Sequence, residues 1–205
     1  MNILLIIFII ITIQLHLYAM EFAWSRGKIH YKDKLLNIYD IIHANSKDYS
    51  KYNYTKNWFL LVFIIQLIFN LSKFTTDFVN EYLLGFFMII FIRSLMIMCT
   101  ILPKQNNCGV DKLTYFNKTI GGTCYDKMFS GHFAFGLFTT LLLFKHDLIS
   151  NSCFNKILFI ILNITHFIII AITRSHYTID IVVAFFVTIL VYLLIKERYI
   201  YLIDI

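Results

Sequence analysis

Residues 157–195 read ILFIILNITHFIIIAITRSHYTIDIVVAFFVTILVYLLI, and they carry the clearest signal for the fold. Two apolar runs, 157–173 and 179–195, flank a short polar connection that contains Arg174 and His176. A helix needs about 20 apolar residues to cross a bilayer. Each run therefore predicts a membrane-spanning helix, and the short connection keeps the end of the first helix close to the start of the second.

Four further apolar stretches precede this pair, at 2–17, 58–71, 82–102 and 132–144. The third of them ends at Pro103, a natural helix stop. With 59% hydrophobic residues and a mean hydropathy of +0.72, the chain is more apolar than one soluble core of this size can bury. The sequence predicts an all-α fold, a polytopic membrane bundle of about six transmembrane helices in a single domain over residues 1–205. The stretch 2–17 has a weak signal-peptide cleavage site but lacks the positively charged start of such signals, so we interpret it as a span.

Polar and basic residues are concentrated between the apolar runs. The net charge of +6 therefore faces lipid phosphates, and no RNA-binding or zinc-knuckle pattern indicates a nucleic-acid partner. The four cysteines show no CxxC spacing, which argues against a zinc or thioredoxin-like site. Leu35, Ile38, Tyr39 and Ile42 have helical spacing, which fits equally an amphipathic helix on the membrane surface and a solvated loop.

Three ionisable residues, His132, His176 and Asp180, fall near the starts of the fourth and sixth apolar runs. If the fourth and fifth runs both cross the membrane, these two starts lie on the same membrane face. Ionisable groups at the edge of a membrane bundle are costly to place there, so they are functional candidates. Asp180 lies four residues after His176 and can orient the imidazole on a shared helix face. Ser130 and Gly131 precede the fourth run, where the N–H groups of a helix start bind phosphate oxygens. This set suits an in-line displacement at phosphorus, in which one histidine attacks and the other protonates the leaving oxygen.

The residues around these positions are more specific than their spacing. The stretches CYDKMFSGH (124–132) and HYTIDIVVAF (176–185) resemble the sphingomyelin synthase family, the ceramide phosphotransferase branch of the type 2 phosphatidic acid phosphatase superfamily. Arg93, followed by Thr100, Leu102 and Pro103, is similar to a further motif of that branch. The three motifs stand in the order in which the family has them.

The resemblance implies a six-span bundle with a catalytic core over 82–195 and a site that needs no metal or other cofactor. It implies that His176 forms a phosphohistidine with the head group and that Asp180 orients it. His132 would protonate the departing diacylglycerol and then deprotonate the primary hydroxyl of ceramide, while Arg93 would hold the phosphate. The implied partners are a phospholipid donor and a ceramide acceptor, and the oligomeric state stays open.

One departure from the wider superfamily bears on the reaction. Ile170 stands six residues before His176, where that superfamily has an arginine, and the nearest cation is Arg174. This favours the ceramide branch over a lipid phosphate phosphatase. The alternative is a hydrolase, either such a phosphatase or a phospholipase C-like enzyme, because it differs only in using water as the acceptor. A catalytically idle lipid-binding protein is a third alternative, against which the intact histidine–aspartate set argues. The head group stays open among phosphocholine, phosphoethanolamine and phosphoinositol.

Several other residues have simpler interpretations. Ser130 suits a helix cap or a phosphate hydrogen bond better than a nucleophile. Cys108 and Cys124 share a loop and would form a disulfide if that loop is lumenal, although sequence does not give their separation. Four other histidines are interpreted as bystanders: His16, His43, His146 and His166.

The sidedness signals conflict. Twelve cations lie on the face of the candidate site and five on the opposite face, so the positive-inside rule places the site in the cytosol. The family resemblance and two glycosylation sequons on the site face, at Asn53 and Asn117, indicate the lumenal or exoplasmic side. We favour that side, in the membrane of the Golgi, the ER or the cell surface.

Overall fold

The computed structural model describes residues 3–31, 38–103, 112–115, 118–119 and 122–197. Within these ranges all regular structure is helical, and each predicted apolar stretch falls mainly within a helix, which confirms the predicted helical bundle. The α-helices are α1 (Ile3–Tyr31), α2 (Ile41–Asn45), α3 (Thr55–Phe69), α4 (Thr76–Cys99), α5 (Gly131–Lys145), α6 (Cys153–Ile172) and α7 (Thr178–Lys196).

Four helices, α1, α4, α6 and α7, are long and apolar enough to cross a membrane. The other two apolar helices, α3 and α5, have 15 residues each, or about 22 Å at 1.5 Å per residue, which is less than the roughly 30 Å of a bilayer core. Large apolar side chains such as Ile10, Phe186 and Leu190 point outward and are more than half exposed. An apolar outer surface of this extent is stable in contact with lipid acyl chains, so the chain is an integral membrane protein.

The first helix is longer than its apolar run of 2–17, because tertiary contacts extend it. Ala19 and Ala23 are fully buried. The ring of Tyr125 lies only 2.3 Å from the position that a Cβ on Gly27 would occupy. The absence of a side chain at Gly27 therefore lets α1 pack against the loop before α5, which holds residues 18–31 in the same helix.

The segment whose spacing fitted either an amphipathic helix or a solvated loop contains only a short helix. Ile38 and Tyr39 are not helical, Leu35 lies outside the described residues, and α2 begins only at Ile41. Asp40 determines this start, because its Oδ1 accepts hydrogen bonds from the backbone N–H groups of residues 42 and 43. Its carboxylate also accepts bonds from Thr178 N (2.5 Å) and Oγ1 (2.7 Å), which tie this segment to the start of α7.

Helix α5 lies in the centre of the bundle, in contact with α3, α4, α6 and α7. Close approach depends on small residues, as is common between membrane helices. A Cβ on Gly85 of α4 would lie 2.2 Å from the ring of Phe138, and one on Gly136 of α5 would lie 2.5 Å from the ring of Phe63. This packing brings the first turn of α5 close to α3, α4 and the connection between α6 and α7.

Candidate active site

His176 and Asp180 contact each other as their spacing predicts. His176 ends the connection between α6 and α7, and Asp180 is in the first turn of α7. The His176 Nδ1 and Asp180 Oδ2 atoms are 3.4 Å apart, and both side chains are buried. Asp180 Oδ2 also accepts a hydrogen bond of 2.9 Å from the backbone N–H of Tyr177, which fixes the carboxylate. Because a carboxylate accepts, Nδ1 of His176 carries the proton and the lone pair is on Nε2.

The environment of His176 favours the neutral imidazole. Burial lowers its pKa well below the usual value of about 6.5, and the cations Lys127 and Lys56 lower it further. A neutral imidazole has the free lone pair that nucleophilic attack requires.

His132 lies in the first turn of α5 and contacts α3. Its Nε2 atom is 3.2 Å from Oδ1 of Asn57. An amide oxygen only accepts hydrogen bonds, so Nε2 of His132 carries a proton and Nδ1 is the ring atom that exchanges one. The sequence analysis did not identify Asn57, because nothing in its surroundings marks it as a partner of a residue 75 positions later.

His132 and His176 line one cavity of about 250 Å³, together with residues from α1, α3, α4 and the loop before α5. Three cations, Arg93, Lys56 and Lys127, line it as well, and Asp126 contributes a carboxylate. Lys127 Nζ donates to the carbonyl of Ser175 at 2.9 Å. Among the described residues neither lysine has a carboxylate within salt-bridge distance, so the cavity carries an excess of positive charge and suits an anion.

Arg93 and Asp126 form the buried ion pair of this cavity, with Nη2 and Oδ2 2.7 Å apart. Burial alone would raise the pKa of Asp126, but Arg93, Lys127 and two hydrogen bonds from Thr123 outweigh it and hold the pKa below its usual range. Asp126 is therefore ionised and anchors the guanidinium. Arg93 Nε has no partner within the described part of the chain, and it lies 3.5 Å from where a Cβ on Gly131 would be. An unpaired donor thus sits beside the predicted phosphate-binding turn.

Ser130 and Gly131 occupy that turn. Ser130 is the N-cap of α5, and its hydroxyl accepts a bond of 3.4 Å from the backbone N–H of Phe133. The backbone N–H of Ser130 donates to the carbonyl of Asp180 at 3.3 Å, which ties the start of α5 to the start of α7. Ser130 is fully buried and acts as a cap, as predicted, while Gly131 and His132 line the cavity.

Most of the predicted bystanders lie elsewhere, but His16 does not. His146 bonds Glu81 at the end of α5 that is remote from the site, and His166 is enclosed by aromatic rings of α3 and α5. Arg174 bonds the carbonyl of His43 and pairs with Asp48 outside the cavity. His16 of α1, in contrast, lines the cavity and contacts Arg93, so it lies within the candidate site. The register of α1 against α4 places it there, and sequence spacing does not reveal that register.

One cysteine on the site side is oxidised. Cys124 is disulfide-bonded and buried, and Cys108, its predicted partner, lies outside the described residues. Cys99 and Cys153 are free and exposed.

The fold and the cavity define a class of protein: a helical integral membrane protein with two histidines, a buried carboxylate and excess cations at one end of its bundle. Residues 123–197 match the model of the PAP2 superfamily C-terminal family. This match supports the type 2 phosphatidic acid phosphatase superfamily and fits an enzyme that transfers or hydrolyses lipid phosphate groups. No curated protein and no solved structure matches the chain. The matched region contains Ser130, Gly131, His132, His176 and Asp180, whereas Arg93, Lys56 and His16 lie before it.

Proposed function

We propose that the protein is a ceramide phosphotransferase that moves a phospho-head group from a glycerophospholipid to ceramide through a phosphohistidine. One observation carries this proposal: two histidines, which can exchange protons, and three cations line a single cavity. Two of the cations have no carboxylate partner among the described residues. A phosphodiester supplies the negative charge that this cavity lacks.

In the first half-reaction, Nε2 of His176 attacks the donor phosphorus. His132 takes up a proton on Nδ1 when the anionic phosphodiester binds beside it. The bond between phosphorus and the glycerol oxygen then breaks, and His132 gives this proton to that oxygen, which leaves as the hydroxyl of diacylglycerol. Asp180 stabilises the substituted imidazole through the Nδ1 proton. Arg93, Lys56, Lys127 and the N–H groups at the start of α5 stabilise the phosphoryl oxygens.

In the second half-reaction, His132, now neutral, removes the proton of the ceramide primary hydroxyl. The ceramide oxygen attacks phosphorus, the bond between nitrogen and phosphorus breaks, and His176 returns to its starting form. His132 again carries the proton on Nδ1 that it gave up in the first half-reaction, so atoms and protons balance over the cycle.

An apolar groove supports a lipid acceptor in preference to water. A cavity of about 820 Å³ lies between α5, α6 and α7 and is lined almost entirely by apolar side chains, among them Phe133, Leu137, Phe144 and Phe186. Phe133 and Phe144 are 11 residues apart on α5, or about 16 Å along the helix axis. The groove shares no lining residue with the cavity of His132 and His176, but one end of it lies at the same turn of α5 as His132, and it is long enough to hold much of a long acyl chain.

The oxidised state of Cys124 supports a lumenal or exoplasmic site. Disulfides persist in oxidising compartments and are rare in the cytosol. This agrees with the family resemblance and opposes the positive-inside count.

The decisive experiment offers the purified protein labelled phosphatidylcholine, phosphatidylethanolamine and phosphatidylinositol, with and without ceramide. We expect a phosphorylated sphingolipid from at least one donor, no dependence on divalent metal, and no product from His176→Ala. His30→Ala is the matched control, since His30 is exposed at the end of α1. If every donor gives only diacylglycerol and free phospho-head group at all ceramide levels, the enzyme is the alternative hydrolase.

A further inference from the structure

His16 lies in the first apolar helix, outside the region that matches the family model, and yet it contacts the cation of the site. Its ring is next to Arg93 and Ser94 of α4, and it lines the cavity that contains His132 and His176. A polar ring in a membrane helix is costly unless its nitrogen atoms have partners. The partners of this ring determine what it can do.

The hydrogen bonds fix the tautomer of His16. The hydroxyl of Ser94 donates its one proton to the carbonyl of Ile90 at 2.7 Å. Ser94 Oγ therefore accepts at its contact of 3.2 Å with His16 Nδ1, so Nδ1 carries the ring proton. The lone pair is then on Nε2. Arg93 Nη1 lies 3.4 Å from Nε2 and 3.5 Å from Nδ1, and because a guanidinium only donates, Nε2 is the ring atom that accepts from it. His16 is thus a neutral acceptor for Arg93.

The guanidinium of Arg93 is held from two sides. His16 accepts from Nη1, and Asp126, itself fixed by Thr123, accepts from Nη2 at 2.7 Å. These two contacts leave Nε as the donor without a partner in the described part of the chain, beside Gly131. Without the contact to His16, Nη1 keeps only a contact of 3.8 Å with Sδ of Met20, and the guanidinium can turn about its bond to Asp126 and move Nε away from the start of α5.

We propose that His16 is a positioning residue of the active site, which holds Arg93 so that its free N–H faces a phosphate ester bound at the start of α5. The first apolar helix is then part of the catalytic unit. This inference rests on the proposed function only for the identity of the phosphate ester. The anion site itself can be tested without turnover.

The test compares α1 variants of the full-length protein in detergent, with orthovanadate as the phosphate-like probe. His16→Leu and His16→Phe remove the acceptor, and we expect each to weaken vanadate binding by about tenfold, the effect of losing one hydrogen bond to a charged group. His16→Gln supplies both an acceptor and a donor and should restore most of the affinity. Thr12→Val is the matched control, because Thr12 is buried one turn earlier in the same helix and does not line the cavity.

A double-mutant cycle separates positioning from general support of the fold. If His16 acts through Arg93, then His16→Leu adds no further loss of vanadate affinity to Arg93→Gln, since the group that it positions is already gone. The catalytic efficiency toward the best labelled phospholipid should follow the same pattern, with thermal unfolding temperatures like that of Thr12→Val.

Each outcome has a distinct meaning. Additive losses in the double mutant, equal vanadate affinities for His16→Leu and Thr12→Val, or a wild-type protein that does not bind vanadate would each overturn the inference. A wild-type protein that binds vanadate with the predicted variant pattern but acts on no phospholipid would overturn the proposed function and leave the role of His16 intact.

Discussion

Replacing Lys56 should separate activity from stability. Lys56 is in the first turn of α3 and lines the cavity, half-buried and without a carboxylate partner among the described residues. Lys56→Gln therefore removes a cation from the anion site without leaving a carboxylate unpaired. We expect weaker donor binding and slower turnover, with no loss of folding stability.

The magnitude follows from the contact that is lost. A hydrogen bond to a charged group contributes about 1.5–3 kcal/mol, and each 1.4 kcal/mol corresponds to a factor of ten. The catalytic efficiency should therefore fall by about 10- to 150-fold. The thermal unfolding temperature without ligand should stay the same or rise, because a half-buried ammonium without a counterion has lost part of its hydration.

The assay measures release of labelled diacylglycerol at several donor concentrations, with unfolding followed in the same detergent. Lys51→Gln is the matched control: it removes the same charge five residues earlier, from a side chain that is exposed and lies over the ring of Tyr52. If the two variants lose activity equally, the effect is one of net charge at the membrane surface and the assignment of Lys56 to the site is refuted. A large drop in unfolding temperature for Lys56→Gln alone would also contradict the reasoning.

Four further predictions concern other features. Asp180→Asn should reduce turnover, measured from quenched time points, by on the order of 10⁴-fold, as in a catalytic triad that loses its orienting carboxylate. Some phosphohistidine should still form. His166→Phe should raise the unfolding temperature by about 2–4 °C with unchanged turnover, because both ring nitrogens of this buried residue lack partners in the described chain and a phenyl ring needs none. The free energy of unfolding should fall as the pH drops below about 6.5. The pKa of His176 is lowered in the folded state, so at acid pH the unfolded state binds the proton more readily and is favoured. His176→Gln should reduce this dependence of the free energy of unfolding on pH. In sealed microsomes an impermeant maleimide should label Cys153 at the start of α6 and should label Cys99 at the end of α4 only after permeabilisation; the reverse order would place the site in the cytosol.

The sequence predicted the helices well because one physical property decides them. Apolar runs bounded by polar residues must be helical in lipid, where every backbone group needs an internal partner. The His176–Asp180 contact was predictable for a similar reason, since a spacing of four residues is local to one turn. The parity of the spans was enough to bring His132 to the same end of the bundle.

The residues that the sequence did not identify share a different property: their roles depend on which face of a helix points inward. His16, Lys56 and Asn57 lie in or beside apolar stretches whose outer faces meet lipid and whose inner faces meet protein, and both faces are apolar. Hydrophobic periodicity therefore gives no register for them. Asp40 was missed for its long-range contact with Thr178, although an aspartate directly before an apolar run is a common helix start signal.

The distribution of the site over the chain has a consequence for the chemistry. In the proposed mechanism, His176, His132 and the orienting Asp180 come from residues 123–197, the region that matches the family model, whereas Lys56, Arg93 and His16 come from helices before it. The first group would determine which bond is broken, and it is built from contacts within and between α5 and the start of α7. The second group would add positive charge to the cavity and set where the guanidinium points, and it depends on how α1, α3 and α4 pack against α5. Substitutions at Gly85 or Gly136, where helix contacts leave no room for a Cβ, should therefore weaken binding of the phosphate ester before they disturb the His176–Asp180 pair.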